Sequence, residues 1–250
     1  MHFTSRQRLD DILVEREFTL GDFSGTLWTP ASTTASTPVP LILMGQPGGF
    51  SLQRMLPRLR DRARSWAEKG LAAVAIEQPG AGDRAALPGA AQARKDLGRA
   101  LAAGDRPGEA VIEQLILPLV DRAVPEWQTT LDEVLALPEI GDKGAFSGGV
   151  IAIGVRLAAV DPRVVAAGLF AGSYVPHATM NEARRVTIPL HVLLQWDDEG
   201  NDRQMALELF DAFGSAEKTL YANMGGHTGV PQFASDDAAR FFVRHLSPKQ

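Results

Sequence analysis

Three side chains carry the chemistry that this sequence offers: Ser147, Asp198 and His227. A serine hydroxyl is a weak nucleophile until a base takes its proton. Imidazole, which titrates near neutrality as a residue type, is suited to take that proton and return it. A carboxylate behind the imidazole holds one tautomer and stabilises its cation. Ser147 sits in Lys143-Gly144-Ala145-Phe146-Ser147-Gly148-Gly149-Val150-Ile151-Ala152-Ile153, where a short strand meets small residues and then an apolar helical pattern. That order is expected of a strained strand-to-helix turn that pushes a hydroxyl out of the backbone. The plainer reading is a tight turn whose serine caps the following helix.

His227 lies among glycines in Asn223-Met224-Gly225-Gly226-His227-Thr228-Gly229, after a short strand and before the last helix. Asp198 follows the apolar run Val192-Leu193-Leu194-Gln195-Trp196, and the gap to His227 leaves room for one helix and one strand. Asp197 is the reserve acid, and Glu199 shares the turn. His177 is a weaker loop candidate for the base, whereas His191 and His245 read as structural or solvent-facing. An oxyanion hole needs two aimed N–H donors. Gly148, at the start of a helix, is one candidate. The other is expected from Gly45-Gln46-Pro47-Gly48-Gly49, where Pro47 has no N–H to give. Gly48 comes first, and Gln46 second through backbone or side chain. Gln46, Phe50, Phe146, Tyr174, Trp196 and Met224 fall near expected strand ends and are possible pocket residues, although aromatics and methionine are also ordinary core material.

The elements that must position these groups alternate. Ile12 to Leu20 and Phe23 to Trp28 read as a hairpin at a sheet edge, turning at Gly21-Asp22. Apolar strands are expected at Pro40 to Met44, Leu71 to Ile76, Gly144 to Phe146, Val164 to Phe170, Leu190 to Gln195 and Lys218 to Tyr221. Helical periodicity covers Leu52 to Lys69, Trp127 to Leu137, Val150 to Ala159, Arg203 to Phe213 and Ser235 to His245. Continuous apolar strands alternating with helices argue for an α/β fold with a mostly parallel central sheet and helices on both faces. Residues 81–125 break the rhythm and read as a small lid or pocket-wall insertion, with 172–189 as the opposite rim.

Composition narrows the function. The 250 residues, 45% hydrophobic, suffice for one sizeable core, so a single domain over 1–250 is expected. With no cysteine, a disulfide, a thiolate metal site and a cysteine nucleophile are all ruled out. A net charge of -5 without a basic block argues against a nucleic-acid partner. No run reaches about eighteen apolar residues, so no membrane span is expected. The charged stretch Met1 to Glu15 lacks a long apolar core, which argues against a secretory signal and for a cytoplasmic location. The five histidines form no metal-ligand pattern. Gly45 to Gly49 lacks the Gly-Lys-Ser/Thr of a phosphate loop. No cofactor and no metal are expected, and oligomeric state leaves no one-dimensional signal.

The Ala145-Phe146-Ser147-Gly148-Gly149 turn, the late acid, Gly225-Gly226-His227 and the strand order together resemble the α/β-hydrolase superfamily. Within it the resemblance is to compact bacterial serine hydrolases of the dienelactone-hydrolase-like and esterase-like kind, over nearly the whole chain. It implies Ser147 as nucleophile, Asp198 as acid, His227 as base, and Gly48 and Gly148 as oxyanion donors. It further implies hydrolysis of a small or medium ester, lactone or thioester through an acyl-enzyme. The chain departs from the family pattern in three places. Gln46-Pro47 stands where histidine-glycine is usual, Gly80-Ala81-Gly82 where Gly-His-Gly is frequent, and Ala145 where a glycine opens the turn. These departures keep two alternatives open: acyl transfer or cyclisation in secondary metabolism on the same fold, and an inactive small-molecule binding protein.

Overall fold

The apolar strands assemble into one nine-stranded sheet in a computed structural model that describes residues 1–247. The strands are β1 (His2–Arg8), β2 (Leu13–Leu20), β3 (Phe23–Pro30), β4 (Val39–Gly45), β5 (Ala72–Ile76), β6 (Ile140–Gly148), β7 (Val164–Phe170), β8 (Leu190–Gln195) and β9 (Lys218–Asn223). Their spatial order is β1-β2-β3-β5-β4-β6-β7-β8-β9. β1 to β3 form an antiparallel meander, and β3 joins β5 antiparallel. From β5 to β9 every pairing is parallel. The helices are α1 (Leu52–Ala67), α2 (Ala90–Ala102), α3 (Glu109–Val134), α4 (Ile151–Val160), α5 (His177–Ala183), α6 (Arg203–Ala212) and α7 (Gln232–Leu246).

Side chains alternate across a strand, so each parallel strand feeds two cores. Leu41 and Leu43 of β4 join Phe146, Trp127, Leu131, Ile151 and Leu169 on the face covered by α3 and α4. Ile42 and Met44 join Ala145, Leu59, Trp66 and Phe242 on the face covered by α1 and α7. This is why the strands read as unbroken apolar runs. β4 and β6 are neighbours whose following crossovers leave in opposite directions, β4 through α1 to β5 and β6 through α4 to β7. That makes the carboxyl ends of β4 and β6 a topological switch point, where open parallel sheets leave a crevice.

Three elements differ from the sequence expectation. β1 extends the sheet beyond the hairpin, so β2 is not an edge strand. β6 runs on to Gly148 instead of ending at Phe146. The apolar half of residues 81–125 is the first part of the 26-residue α3, which continues through Pro118 and Pro125 to Val134. Its Ile112, Leu119, Val120 and Ala123 pack into the main core. That stretch is a crossover helix, and α2, with Ala90 and Ala93 buried, packs against it.

Candidate active site

β8 and β9 end side by side, and their loops hold the histidine. His227 Nδ1 lies 2.7 Å from Asp198 Oδ2. The Asp198 side chain is only 3% exposed and that of His227 is 55% exposed, so the imidazole is open to a ligand while its carboxylate is shielded. With Asp198 accepting from Nδ1–H, the Nε2 lone pair remains to take a proton. The other Asp198 oxygen accepts from Gly200 N at 3.1 Å, which fixes the carboxylate.

Asp197 does different work from its neighbour. Its carboxylate accepts from Gly225 N at 2.9 Å and Gly226 N at 3.0 Å, the two residues that lead into His227. Hydrogen bonds from Gly226 and Gly225 hold this carboxyl below its ordinary range. Gln195 donates from Nε2 to Gly226 O at 2.9 Å. Three residues at the end of one strand therefore grip the histidine loop. The reserve acid is a loop anchor, and the 2.7 Å contact belongs to Asp198.

Ser147 lies in extended strand, paired with Met44 on β4 and Gly168 on β7. The strained turn expected at the serine falls one residue later. Gly148 and Gly149 take φ of 75° and 72°, and no other residue type has positive φ among the described residues. Glycine enters that region without a Cβ clash, so the chain bends at the glycines and leaves Ser147 unstrained. Gly149 is further confined: a methyl group there would sit 2.6 Å from Gly45 Cα. Ser147 does not cap α4 either, because the N-cap is Val150 and no side chain bonds there.

Ser147 shares its sheet face with Ala145, two residues earlier, on the α1 and α7 side. Phe170 lies two residues beyond Gly168 on that same face, and its ring meets His227 edge-on at 5.4 Å. Ser147 and His227 thus occupy one face of the sheet at its carboxyl edge. No hydrogen bond joins them among the described residues; the Ser147 hydroxyl is engaged by Arg62 Nη2 at 3.1 Å. Arg62 comes from α1, stacks on Trp66 at 4.9 Å and also reaches Ser147 O at 3.5 Å. A Cβ on Gly148 would lie 3.4 Å from Arg62 Nη2, so the guanidinium fills the space beside the turn. Burial pushes its pKa down to about 10, with the nearby Arg58 cation adding to the effect.

The first loop is pinned differently from expectation. Gln46 is buried, its Nε2 donating to Ile76 O at 2.7 Å and its carbonyl accepting from Gln78 at 2.8 Å. Its side-chain amide nitrogen is therefore held by β5, while its Oε1 is buried without a partner among the described residues. Gly48 is exposed on the loop, facing Val150 and Leu119. Ser51 caps α1, and Glu77 receives the Leu52 N–H at 2.9 Å, which holds the helix start beside β5. Burial pushes the Glu77 carboxyl up.

Of the expected pocket residues, Phe146 is wholly buried and packs edge-on against Trp127 at 6.1 Å. It faces the α3 core because it is one residue out of phase with Ser147. Trp196 and Met224 are exposed, the former under the Arg203 guanidinium at 4.4 Å. Phe50 is half-buried beneath Arg54, and Tyr174 packs against the main core. His191 is buried between Tyr221 and Phe241, as a structural residue would be. His177 opens α5 beside Glu109, on the outside. Among the described residues no cluster of three metal-binding side chains occurs, and no helix is long and apolar enough to cross a membrane. Arg62 went unnoticed in the sequence, although it lies three residues after Leu59 and four before Trp66, both buried.

No protein-family model matches the chain, and neither does any curated protein. Solved structures do. A cold-adapted esterase from an Arctic intertidal metagenomic library superposes with a TM-score of 0.77 at 24% identity, covering 99% of this chain and 100% of that one. A dienelactone hydrolase from Anabaena variabilis matches with a TM-score of 0.60 at 16% identity, covering 93% and 99%. An esterase from Pyrococcus furiosus matches with a TM-score of 0.62 at 10% identity, covering 94% and 93%. Sheet order, crossovers and these neighbours agree: the chain has the α/β-hydrolase fold.

Proposed function

We propose that the protein hydrolyses an ester-type bond, an ester, lactone or thioester of small or medium size, with His227 as general base and Asp198 as its partner. The observation that carries this reading is the 2.7 Å His227–Asp198 pair at the carboxyl edge of the sheet, with Nε2 free and the ring accessible. Ser147, on the same face, is the nucleophile of the proposed reaction. His227 takes the Ser147 proton as the hydroxyl oxygen attacks the acyl carbon. The tetrahedral oxyanion draws on the N–H groups of Gly48 and Gly148. The oxyanion collapses to an acyl-serine as His227 gives its proton to the leaving group. His227 next deprotonates water as it attacks the acyl carbon; the Ser147 Oγ–acyl bond then breaks as His227 returns the proton to Oγ, and the acid leaves. For this path the Ser147 hydroxyl must turn from Arg62 toward Nε2. Nothing in the scheme requires a cofactor.

One observation favours a second reading. Ser147 is unstrained and held by Arg62, and a glycine occupies the positive-φ position beside it. In that case His227 activates water directly and no acyl-enzyme forms. Intact mass after treatment with a fluorophosphonate decides between them, alongside turnover of an ester, lactone and thioester panel. An adduct that Ser147→Ala abolishes and His227→Ala slows supports the serine path. Panel turnover that survives Ser147→Ala but not His227→Ala supports the water path. A folded protein that shows neither adduct nor turnover refutes both.

A further inference from the structure

Arg62 is the charged group that the proposed reaction leaves unexplained. Other partly buried arginines are matched with acids: Arg60 with Glu15, Arg84 with Glu126, Arg156 with Glu182 and Arg163 with Asp161. Arg62 pairs with no carboxylate among the described residues, and its electrostatic neighbour is another cation, Arg58. A guanidinium taken out of water without a counterion is costly, and such groups are normally paired. Here the unpaired cation sits at the turn between β6 and α4, touching Ser147 and standing over Gly148. Only Nη2 is engaged with protein among the described residues; Nε and Nη1 have no protein acceptor. The planar forks of a guanidinium are Nε/Nη2 and Nη1/Nη2, so a carboxylate or phosphate received through two parallel bonds shares Nη2 with Ser147. Arg94, exposed on α2, brings a second cation to the loop after β4, its Nη2 lying 3.6 Å from a Cβ placed on Gly49.

We propose that Arg62 recognises an anionic oxygen group, a carboxylate or a phosphate, carried on the acyl portion of the substrate. The bond broken rests on the ester-hydrolase reading; the anion bound does not. Spacing sets the length of the acyl unit. Arg62 Nη2 is 3.1 Å from the Ser147 hydroxyl, so an anion on the guanidinium fork lies only a short linker from the acyl carbon. Succinyl-like units of about two intervening carbons fit, and long diacids overshoot.

Calorimetric titration with succinate, and separately with inorganic phosphate, tests the site on wild type, Ser147→Ala, Arg62→Gln and Arg62→Lys. Wild type and Ser147→Ala are expected to bind one of the two anions. Arg62→Gln is expected to lose at least tenfold in affinity, and Arg62→Lys less. Succinate binding assigns a carboxylate, and phosphate binding assigns a phosphate. The ¹⁵N shift of Arg62 Nε on adding the anion reads the same contact in wild type, without relying on a variant that folds. Binding of neither anion by wild type, or unchanged affinity in folded Arg62→Gln, overturns the proposal. Turnover of monoethyl succinate and ethyl butyrate separates the two claims. Arg62→Gln should lower the ratio of their kcat/KM values at least tenfold. If neither ester turns over while succinate binding still depends on Arg62, the anion site stands and the ester-hydrolase reading falls.

Discussion

Substituting Gly149 by alanine probes how tightly the turn after β6 is built against the loop after β4. Two costs add. Gly149 has φ of 72°, where a Cβ costs an L-residue about 1–2 kcal/mol. The added methyl would also lie 2.6 Å from Gly45 Cα and 2.7 Å from Gln46 N, which are backbone atoms on another strand end. Ordinary carbon contacts begin near ~3.5 Å, so one segment must move, at a cost of about 1–3 kcal/mol for overpacking. The sum is about 2–5 kcal/mol, or roughly 4–20 °C in Tm for a chain of this size. Gly70 is the control, with φ of 75° and nothing within 4 Å of an added Cβ. Gly70→Ala carries the first cost alone and should lose only a few degrees. Thermal melts by circular dichroism measure both. If Gly149→Ala melts with Gly70→Ala, the close approach of the two loops is wrong, and so is the argument that this approach shapes the crevice.

Asp198→Asn should cut ester kcat/KM by about 10²–10⁴-fold while leaving Tm nearly unchanged, since the loss falls on proton transfer; steady-state kinetics and a melt check both halves. Asp197→Ala should release the histidine loop, seen as faster amide exchange at Gly225 and Gly226 and a slower fluorophosphonate reaction. Because the fold depresses the Asp197 pKa, the grip on those amides is present above the usual carboxylate range and is lost as pH falls through the lowered value. Exchange normalised to the unstructured rate should therefore stay slow into mild acid. His191 is pushed down to about 4 by burial, so between its ordinary value near 6.5 and about 4 the unfolded chain binds more protons than the fold. Its contribution to stability is complete above that window and falls as pH drops, by at most about 1.4 kcal/mol per pH unit. His191→Phe should flatten the fall in Tm over those pH values, and an NMR titration of the His191 ring should show it neutral at pH 6.

The parallel strands were legible because each is buried on two faces, which leaves an unbroken apolar run such as Leu41-Ile42-Leu43-Met44. β1 was not, because its residues are largely exposed and polar; backbone pairing with β2 and the contact of Phe3 with Phe18 hold it. Only the part of α3 from Trp127 onward was legible as helix; the preceding turns contain Pro118 and Pro125, which remove helix donors, yet packing of the apolar stripe carries the helix through both. At the site, the pairing of Asp198 with His227 was legible because Asp198 lies just past the apolar β8 and His227 among glycines in the loop after β9. The position of the bend was not, since Ser147-Gly148-Gly149 offers neighbouring residues and only the backbone decides which takes positive φ. Arg62 was hidden for a different reason: a helical arginine reads as a solvated face, and its contact with Ser147 spans 85 residues of chain.

The placement of β4 has a kinetic consequence. Its first neighbour, β5, follows after a single helix, with Leu41 aligned to Ala72. Its other neighbour, β6, arrives roughly a hundred residues later, with Leu41 also beside Gly144, and contacts so distant in sequence form slowly. During synthesis the apolar β4 therefore waits with one edge unpaired until α3 and β6 have left the ribosome. That open edge is where association with other chains begins, so the nascent protein should depend on a holdase most strongly in the interval between completion of β5 and emergence of β6.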